Sequence, residues 1–307
     1  MLDIEKKHWE NGAKHIAGID EVGRGPLCGP VVACAVILPQ NIIIDGVADS
    51  KKLTPKKRET LYKIIKEKAT SIGIGMVHED RIDEINILQA TMEAMNIAIE
   101  NLSTAPDFLL VDGNIKRLCK VDQESVVKGD QKSMSIAAAS IVAKVTRDAM
   151  MGQYDRVFPG YGMARNMGYG TKEHMEALKE RFSTPIHRQS FSPVDRHMPT
   201  FADVGGIDRI SIRLAASELV KAGHEIHVVD APDSSAVDIL TSLDGKLNSY
   251  HLQRENAAEA GPESIRVEAE ALAGQIDLKK DITKGIDISV ISVKFSKVKP
   301  KVTFRKV

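Results

Sequence analysis

At 307 residues the chain exceeds one average domain and is short for three, so two domains are expected. Hydrophobic residues at 43% and charged residues at 27% describe a globular chain and exclude a disordered or fibrous one. The 42 basic residues balance 42 acidic ones, which excludes nucleic-acid binding by bulk charge and leaves room only for a local patch.

Taken in chain order, MLDIEKKHWENGAKH lacks the apolar run of a signal peptide. No uninterrupted apolar stretch approaches the roughly 18 residues of a membrane span. The expectation is a soluble, cytoplasmic protein. HIAGID (15–20) is a short apolar run ending in acids, and VVACAVIL (31–38) reads as a buried strand that stops at Pro39. In KKLTPKKRE, Thr54 could cap a helix whose first position is Pro55, with Leu61, Ile64, Ile65 and Ala69 on one face. SIGIGMV (71–77) is strand-like. Ile85, Leu88, Met92, Met95 and Ile99 then recur at steps of three and four, a helical stripe predicted to pack on a sheet.

DFLLVD (107–112) and ESVVKGD (124–130) are strand-like runs ending in acids, and residues 133–150 predict a helix rich in small residues that permits close approach. Strands mixed with helices in this order predict an α/β domain with one mixed sheet and flanking helices. A segment rich in glycine and proline, from Phe158 to about His197, reads as loop. Cys28, Cys34 and Cys119 fit neither a disulfide framework nor paired zinc spacing, and are expected to be small apolar residues.

Composition changes near residue 200. A helix with Ile212, Ala215, Ala216 and Leu219 on one face precedes strands HEIHVVD and AVDILTSL. Asp244-Gly245 predicts a turn from which LNSYHLQ pairs back as a hairpin. A helix around 264–273 and strands near 286–295 and 301–306 complete a second small α/β unit. The reading therefore divides the chain into a catalytic domain over 1–200 and an accessory domain over 205–307.

Acids gather at the C-terminal ends of the predicted strands: Asp20 and Glu21, Asp112, and Asp130. One sheet can bring such ends together, and clustered carboxylates repel unless protonated or neutralised by cations. Hard oxygen donors suit magnesium or manganese, and two such ions can support in-line attack of water on a phosphodiester. Taken singly, an acid at a strand end is usually a turn or helix-cap residue, and periodicity does not show that they converge.

GIDEVGRGPLCGPVVACAV (18–36) closely resembles the signature of type 2 ribonucleases H. DSKKL (49–53), VDGN (111–114), VKGDQKSMSIAAASIVAKVTRD (127–148), GYGTKEH (168–174) and HRQSF (187–191) are similar to that family in the same order. The resemblance covers roughly residues 14–197. It implies a ribonuclease-H-like fold and two divalent ions, Mg2+ or Mn2+, on Asp20, Glu21, Asp112 and Asp130. It also implies hydrolysis of RNA in RNA–DNA hybrids, or at ribonucleotides embedded in duplex DNA as in ribonucleotide excision repair. The implied products carry 3′-hydroxyl and 5′-phosphate ends, and the implied enzyme is a monomer. By the same resemblance Gly23, Arg24 and Gly25 contact the ribonucleotide, where glycines let the backbone approach the 2′-hydroxyl, and Tyr169 stacks on the neighbouring sugar. Lys51 reads either as a phosphate contact or as a solvated lysine at a helix start.

Related type 3 enzymes usually show Gly-Lys-Gly and an additional preceding domain, so Gly-Arg-Gly so near the start favours type 2. Asn166-Met167 stands where the family often has a basic residue. The second unit is faintly similar to restriction-endonuclease-like proteins, with Glu218 and Asp238 at the first metal-binding positions. There His251-Leu252-Gln253 replaces Glu-x-Lys, which implies a degraded centre. The alternative is an accessory domain that binds nucleic acid or protein. Lys294, Lys297, Lys299, Lys301, Arg305 and Lys306, with no acid among them, suit a phosphate backbone or a solvated face.

Overall fold

The structure is a computed structural model that describes residues 1–47, 53–200, 203, 206–230, 237–253, 262–275, 286–295 and 300–306. Two compact units emerge. One comprises Met1–Ala149, Gly168–Gly170 and Ile186–Asp195, the other Met150–Met167, Thr171–Pro185 and Arg196–Val307.

In the first unit β1 (Ile16–Val22), β2 (Val31–Ile37), β3 (Ser71–Val77), β4 (Phe108–Asp112) and β5 (Asp122–Val126) form a mixed sheet in the order β3-β2-β1-β4-β5. The first three strands pair antiparallel, and β1, β4 and β5 run parallel. Around them lie α1 (Asp3–Glu10), α2 (Pro55–Lys68), α3 (Glu79–Glu100) and α4 (Met134–Val157).

Every residue of β2 is buried, as expected of a strand covered on both faces. Val32, Cys34 and Val36 pack with α2 and α4, while Val31, Ala33, Ala35 and Ile37 pack with α3. Period-two alternation thus builds a three-layer unit from one apolar run. Thr54 caps α2 by accepting the Lys57 N–H at 3.3 Å, with Pro55 in the first turn.

The expected stripe on α3 is only partly right. Asn86 has a left-handed backbone (φ +68) that kinks the helix, and Leu88 is 50% exposed. The buried face beyond the kink is Ala90, Ala94 and Ala98 with Met95. It packs on β3 where Gly73 and Gly75 carry no side chain, since a Cβ at either would collide with a helix carbonyl. Backbone proximity, rather than the bulk of the apolar residues, sets this helix face.

Gly18 of β1 does the same for α4, because a Cβ there would collide with the backbone of Ser135 and Ile136. Gly18→Ala is therefore expected to cost about 3 kcal/mol by overpacking. A urea midpoint equal to wild type would contradict this packing. At the start of α4, Glu5 Oε1 accepts from Ser133 Oγ (2.6 Å), Ser135 Oγ (2.8 Å) and Ser135 N (3.1 Å), which ties α1 to that helix.

The second unit contains α5 (Met163–Asn166) and α6 (Lys172–Arg181), so the segment read as loop holds two helices. Asp155 receives the N–H of Met163 at 2.7 Å, and Thr171 caps α6. Glycine and proline mark the connections there and conceal the short helices between them. Beyond come α7 (Ile207–Lys221), β6 (Glu225–Val229), β7 (Ile239–Leu243), β8 (Lys246–Leu252), α8 (Pro262–Gln275), β9 (Ile286–Lys294) and β10 (Lys301–Lys306). The sheet order is β10-β9-β8-β7-β6, with β8 and β9 parallel and the other pairs antiparallel. Asp244 and Gly245 both have positive φ (50° and 73°), which suits the tight β7–β8 hairpin turn. Ile212, Ala215, Ala216 and Leu219 are buried on α7, and Leu240, Leu247, Ile265, Ala269 and Ile288 form a core with α8. No helix among the described residues is long and apolar enough to cross a membrane.

Candidate active site

Ile19 pairs with Val111 across parallel β1 and β4, so Asp20 and Asp112 follow one step later on adjacent strands. Alternation turns both toward the α4 side, the side of Gly18 and Leu110. Asp20 is buried, and Glu21 is half-buried at the end of β1. Burial holds the Asp20 carboxyl well above its ordinary range, and the charges of Glu21 and Asp112 add to this. A hydrogen bond from Ser140 on α4 and the Glu21 N–H, at 2.8 Å, act in the opposite direction. Burial also raises Glu21, while Arg24, whose Nη1 lies 3.3 Å from Glu21 Oε1, offsets part of that rise.

Asp130 does not end a strand. It is buried in a 3-10 turn (Gly129–Gln131) between β5 and α4. The turn is fastened to the cluster because the Gly129 N–H donates to Asp112 Oδ1 at 2.6 Å. A Cβ at Gly129 would approach that oxygen to 3.2 Å and crowd Ile136. The donor set is carboxylate oxygen, and its mutual repulsion raises the proton affinity of Asp20. Hard dications such as magnesium or manganese fit such a set.

Beside the acids runs the loop from Gly23 to Pro30. Arg188 is fully buried, and its guanidinium donates to the carbonyls of Gly23 (2.5 Å), Arg24 (2.9 Å), Pro26 (2.8 Å) and Gly29 (2.8 and 3.1 Å). Burial pushes this guanidinium down to about 10, with the Arg147 charge adding to the effect, so it remains a cation at neutral pH. Arg147, also fully buried, donates to the carbonyls of Pro30 (2.9 Å) and Cys28 (3.0 Å). Two arginines thus gather the loop's carbonyls inward. Gly23 must be glycine here, because its φ is +95° and a Cβ would collide with Arg147.

Gly25 has no such requirement: its nearest neighbour would be Tyr169 Cε1 at 3.5 Å. Tyr169 is 45% exposed, and the Gly168 carbonyl accepts the Leu27 N–H at 2.8 Å. The structure therefore brings Gly25 and Tyr169 together. Asp83 of α3 holds the turn after Arg188 by accepting the N–H groups of Gln189 and Ser190, both at 2.9 Å. Arg147, Arg188, Asp83 and Ser140 are missing from the sequence reading. Their only signal is that three of them lie within or beside quoted motifs, since a buried arginine has no periodic signature.

Lys51 lies outside the described residues. Asn166 is buried and gives its amide to the Tyr161 carbonyl at 2.7 Å, a structural use. Burial pushes the Cys28 thiol up to about 12, in keeping with an inert apolar residue. In the second unit Asp238 accepts the Leu252 N–H at 2.6 Å and lies 3.2 Å from His251 Nδ1, whereas Glu218 pairs with Lys221 on its own helix at 3.1 Å.

The ribonuclease HII family model matches residues 17–194. A ribonuclease HII from Acetivibrio thermocellus is 56% identical over 192 residues, which cover 62% of this chain and 75% of the relative. One from Enterococcus faecalis is 54% identical over 194 residues, covering 63% and 76%. Among solved structures, ribonuclease H2 from Pyrococcus horikoshii OT3 superimposes with a TM-score of 0.52 at 27% identity, covering 59% of this chain and 96% of that one. The ribonuclease HII of a complex from Archaeoglobus fulgidus gives 0.50 at 26% identity, covering 62% and 99%. The family match ends at residue 194 and lends no support to the restriction-endonuclease resemblance of the second unit. A family model that matches more than half of its residues, and relatives 56% and 54% identical over that stretch, show that the chain belongs to the ribonuclease HII family and is a metal-dependent nuclease.

Proposed function

We propose that the chain is an endoribonuclease that hydrolyses the RNA strand of RNA–DNA hybrids and cuts on the 5′ side of ribonucleotides embedded in duplex DNA, leaving 3′-hydroxyl and 5′-phosphate ends. Asp20, Glu21, Asp112 and Asp130 would hold two divalent ions, magnesium or manganese. When bound, the ions supply charge neutralisation at the entering and leaving oxygens of the phosphodiester. The observation that carries this reading is the convergence of Asp20, Glu21 and Asp112 with a turn whose Gly129 N–H grips Asp112.

The chain's own groups account for recognition. With the carbonyls of residues 23–30 drawn to Arg147 and Arg188, the N–H groups of Arg24 and Gly25 meet no acceptor among the described residues. They are left as donors that a sugar hydroxyl or phosphate oxygen would satisfy. Gly25 leaves space that the fold itself does not require, and the exposed Tyr169 beside it offers a ring on which a sugar would stack.

Cleavage of an end-labelled DNA duplex containing one ribonucleotide tests the reading. The expected result is a single cut 5′ of the ribonucleotide, dependent on magnesium or manganese and absent from an all-DNA duplex. A cut at another position, or none on either hybrid or embedded substrates, overturns it. Residues 205–307 are read as an accessory domain, with residues 1–200 as the catalytic one. Support comes from β8, which carries no carboxylate: the Leu252 N–H donates to Asp238 and His251 Nδ1 lies 3.2 Å from it, as in a degraded restriction-endonuclease-like centre.

A further inference from the structure

The sheet of the second unit ends on β10, whose register sets Lys301 opposite Lys294, Thr303 opposite Ser292 and Arg305 opposite Val290. Alternation places these six residues on one face. Lys294, Lys301, Thr303 and Arg305 are exposed there. No ion pair forms to Lys294, Lys301 or Arg305 among the described residues. The other face is handled differently: Asp287 neutralises Lys306 at 2.9 Å and Lys246 at 2.7 Å.

Two physical points separate this arrangement from an ordinary solvated edge. Charges on an edge strand discourage pairing with another sheet, but either sign serves that purpose. Like charges directly opposite each other destabilise a sheet, and Lys301 faces Lys294 in that way. The sequence between Val293 and Lys306 adds Lys297 and Lys299 and contains no acid. An anion that bridges the cations removes the repulsion. Lys301 and Arg305 are four residues apart, roughly 13 Å along the strand, so one compact anion does not reach both whereas a run of phosphates does.

We propose that this face of β9 and β10 binds the phosphate backbone of the nucleic-acid duplex that the enzyme acts on. The proposal rests on the nuclease reading only for the identity of the polyanion. It supplies affinity without base recognition, a sequence-independent grip beside a chemical step that selects ribose.

The test is fluorescence anisotropy with the full chain in EDTA, on a labelled RNA–DNA hybrid and a DNA duplex of the same sequence, across a salt series. The triple variant Lys294→Gln, Lys301→Gln, Arg305→Gln is expected to lower the slope of log K against log salt by nearly three, at about 0.9 per lost contact. Its affinity should fall on both duplexes alike. With metal restored, KM should rise while kcat at saturation stays at the wild-type value. Lys306→Gln, on the neutralised face, should leave the slope unchanged. If the triple variant does not fold, Arg305→Gln alone should lower the slope by about one. An unchanged slope, or an equal loss in Lys306→Gln, overturns the proposal. Absence of cleavage by the wild type would sink the nuclease reading instead and leave the slope comparison valid.

Discussion

Asp130→Asn is expected to slow cleavage of a ribonucleotide-containing duplex by about a thousandfold, which corresponds to ~4 kcal/mol of barrier. The side chain is 2% exposed in the turn whose Gly129 N–H holds Asp112, so its charge is delivered at a fixed place. Asparagine keeps the shape and removes the charge. The fold should persist, and in EDTA the variant should melt at or above the wild-type temperature. The reason is desolvation: a charged carboxylate buried without its cation is costly, and a neutral amide of the same shape avoids that cost. Magnesium should raise the wild-type melting temperature by linkage and raise that of the variant less. Asp112→Asn is a useful companion, because its amide oxygen can still accept the Gly129 N–H and separates charge from scaffold. Equal cleavage by wild type and Asp130→Asn, or equal metal-dependent shifts in melting, would remove these acids from the metal site.

The parts of this molecule that obey one period are legible from residues alone. β2 reads as a doubly buried strand because eight apolar residues run from Val31 to Leu38, and the second unit's elements follow from α7's stripe and the Asp244-Gly245 turn. The register of α3 is hidden because its packing depends on two glycines in another element, Gly73 and Gly75, and on a kink at Asn86. Asp20 and Asp112 become neighbours only through strand pairing, which links residues far apart in the chain. Asp130 sits in a turn rather than at a strand end because the chain turns at Lys128, in a left-handed conformation, to enter α4. Family resemblance implies the four acids as a set and carries no signal for the arginines that hold the loop. A buried cation is legible only once its carbonyl partners have been folded around it.

Those arginines carry the second large effect. Arg188→Met is expected to destabilise the protein by about 3–5 kcal/mol, since removal leaves the buried carbonyls of Gly23, Pro26 and Gly29, and the partly buried one of Arg24, without their donor. In the fraction that still folds, kcat/KM on an embedded ribonucleotide should fall by about a hundredfold, the usual consequence of misplacing a binding group by about 1 Å. Arg188→Lys keeps the charge and loses the planar fork, so it should recover much of the stability and little of the kcat/KM. Gly25→Ala provides the converse case: a Cβ there meets Tyr169 at an ordinary 3.5 Å, so the melting temperature should hold while ribonucleotide cleavage falls. Together the variants distinguish a loop that is merely stabilised from one that is aimed. If Arg188→Lys cleaves at the wild-type kcat/KM, four carbonyls need only a cation and the fork has no positioning role. If Arg188→Lys melts normally yet loses discrimination between ribose and deoxyribose, the carbonyls must be held in one geometry for the N–H groups of Arg24 and Gly25 to meet the substrate.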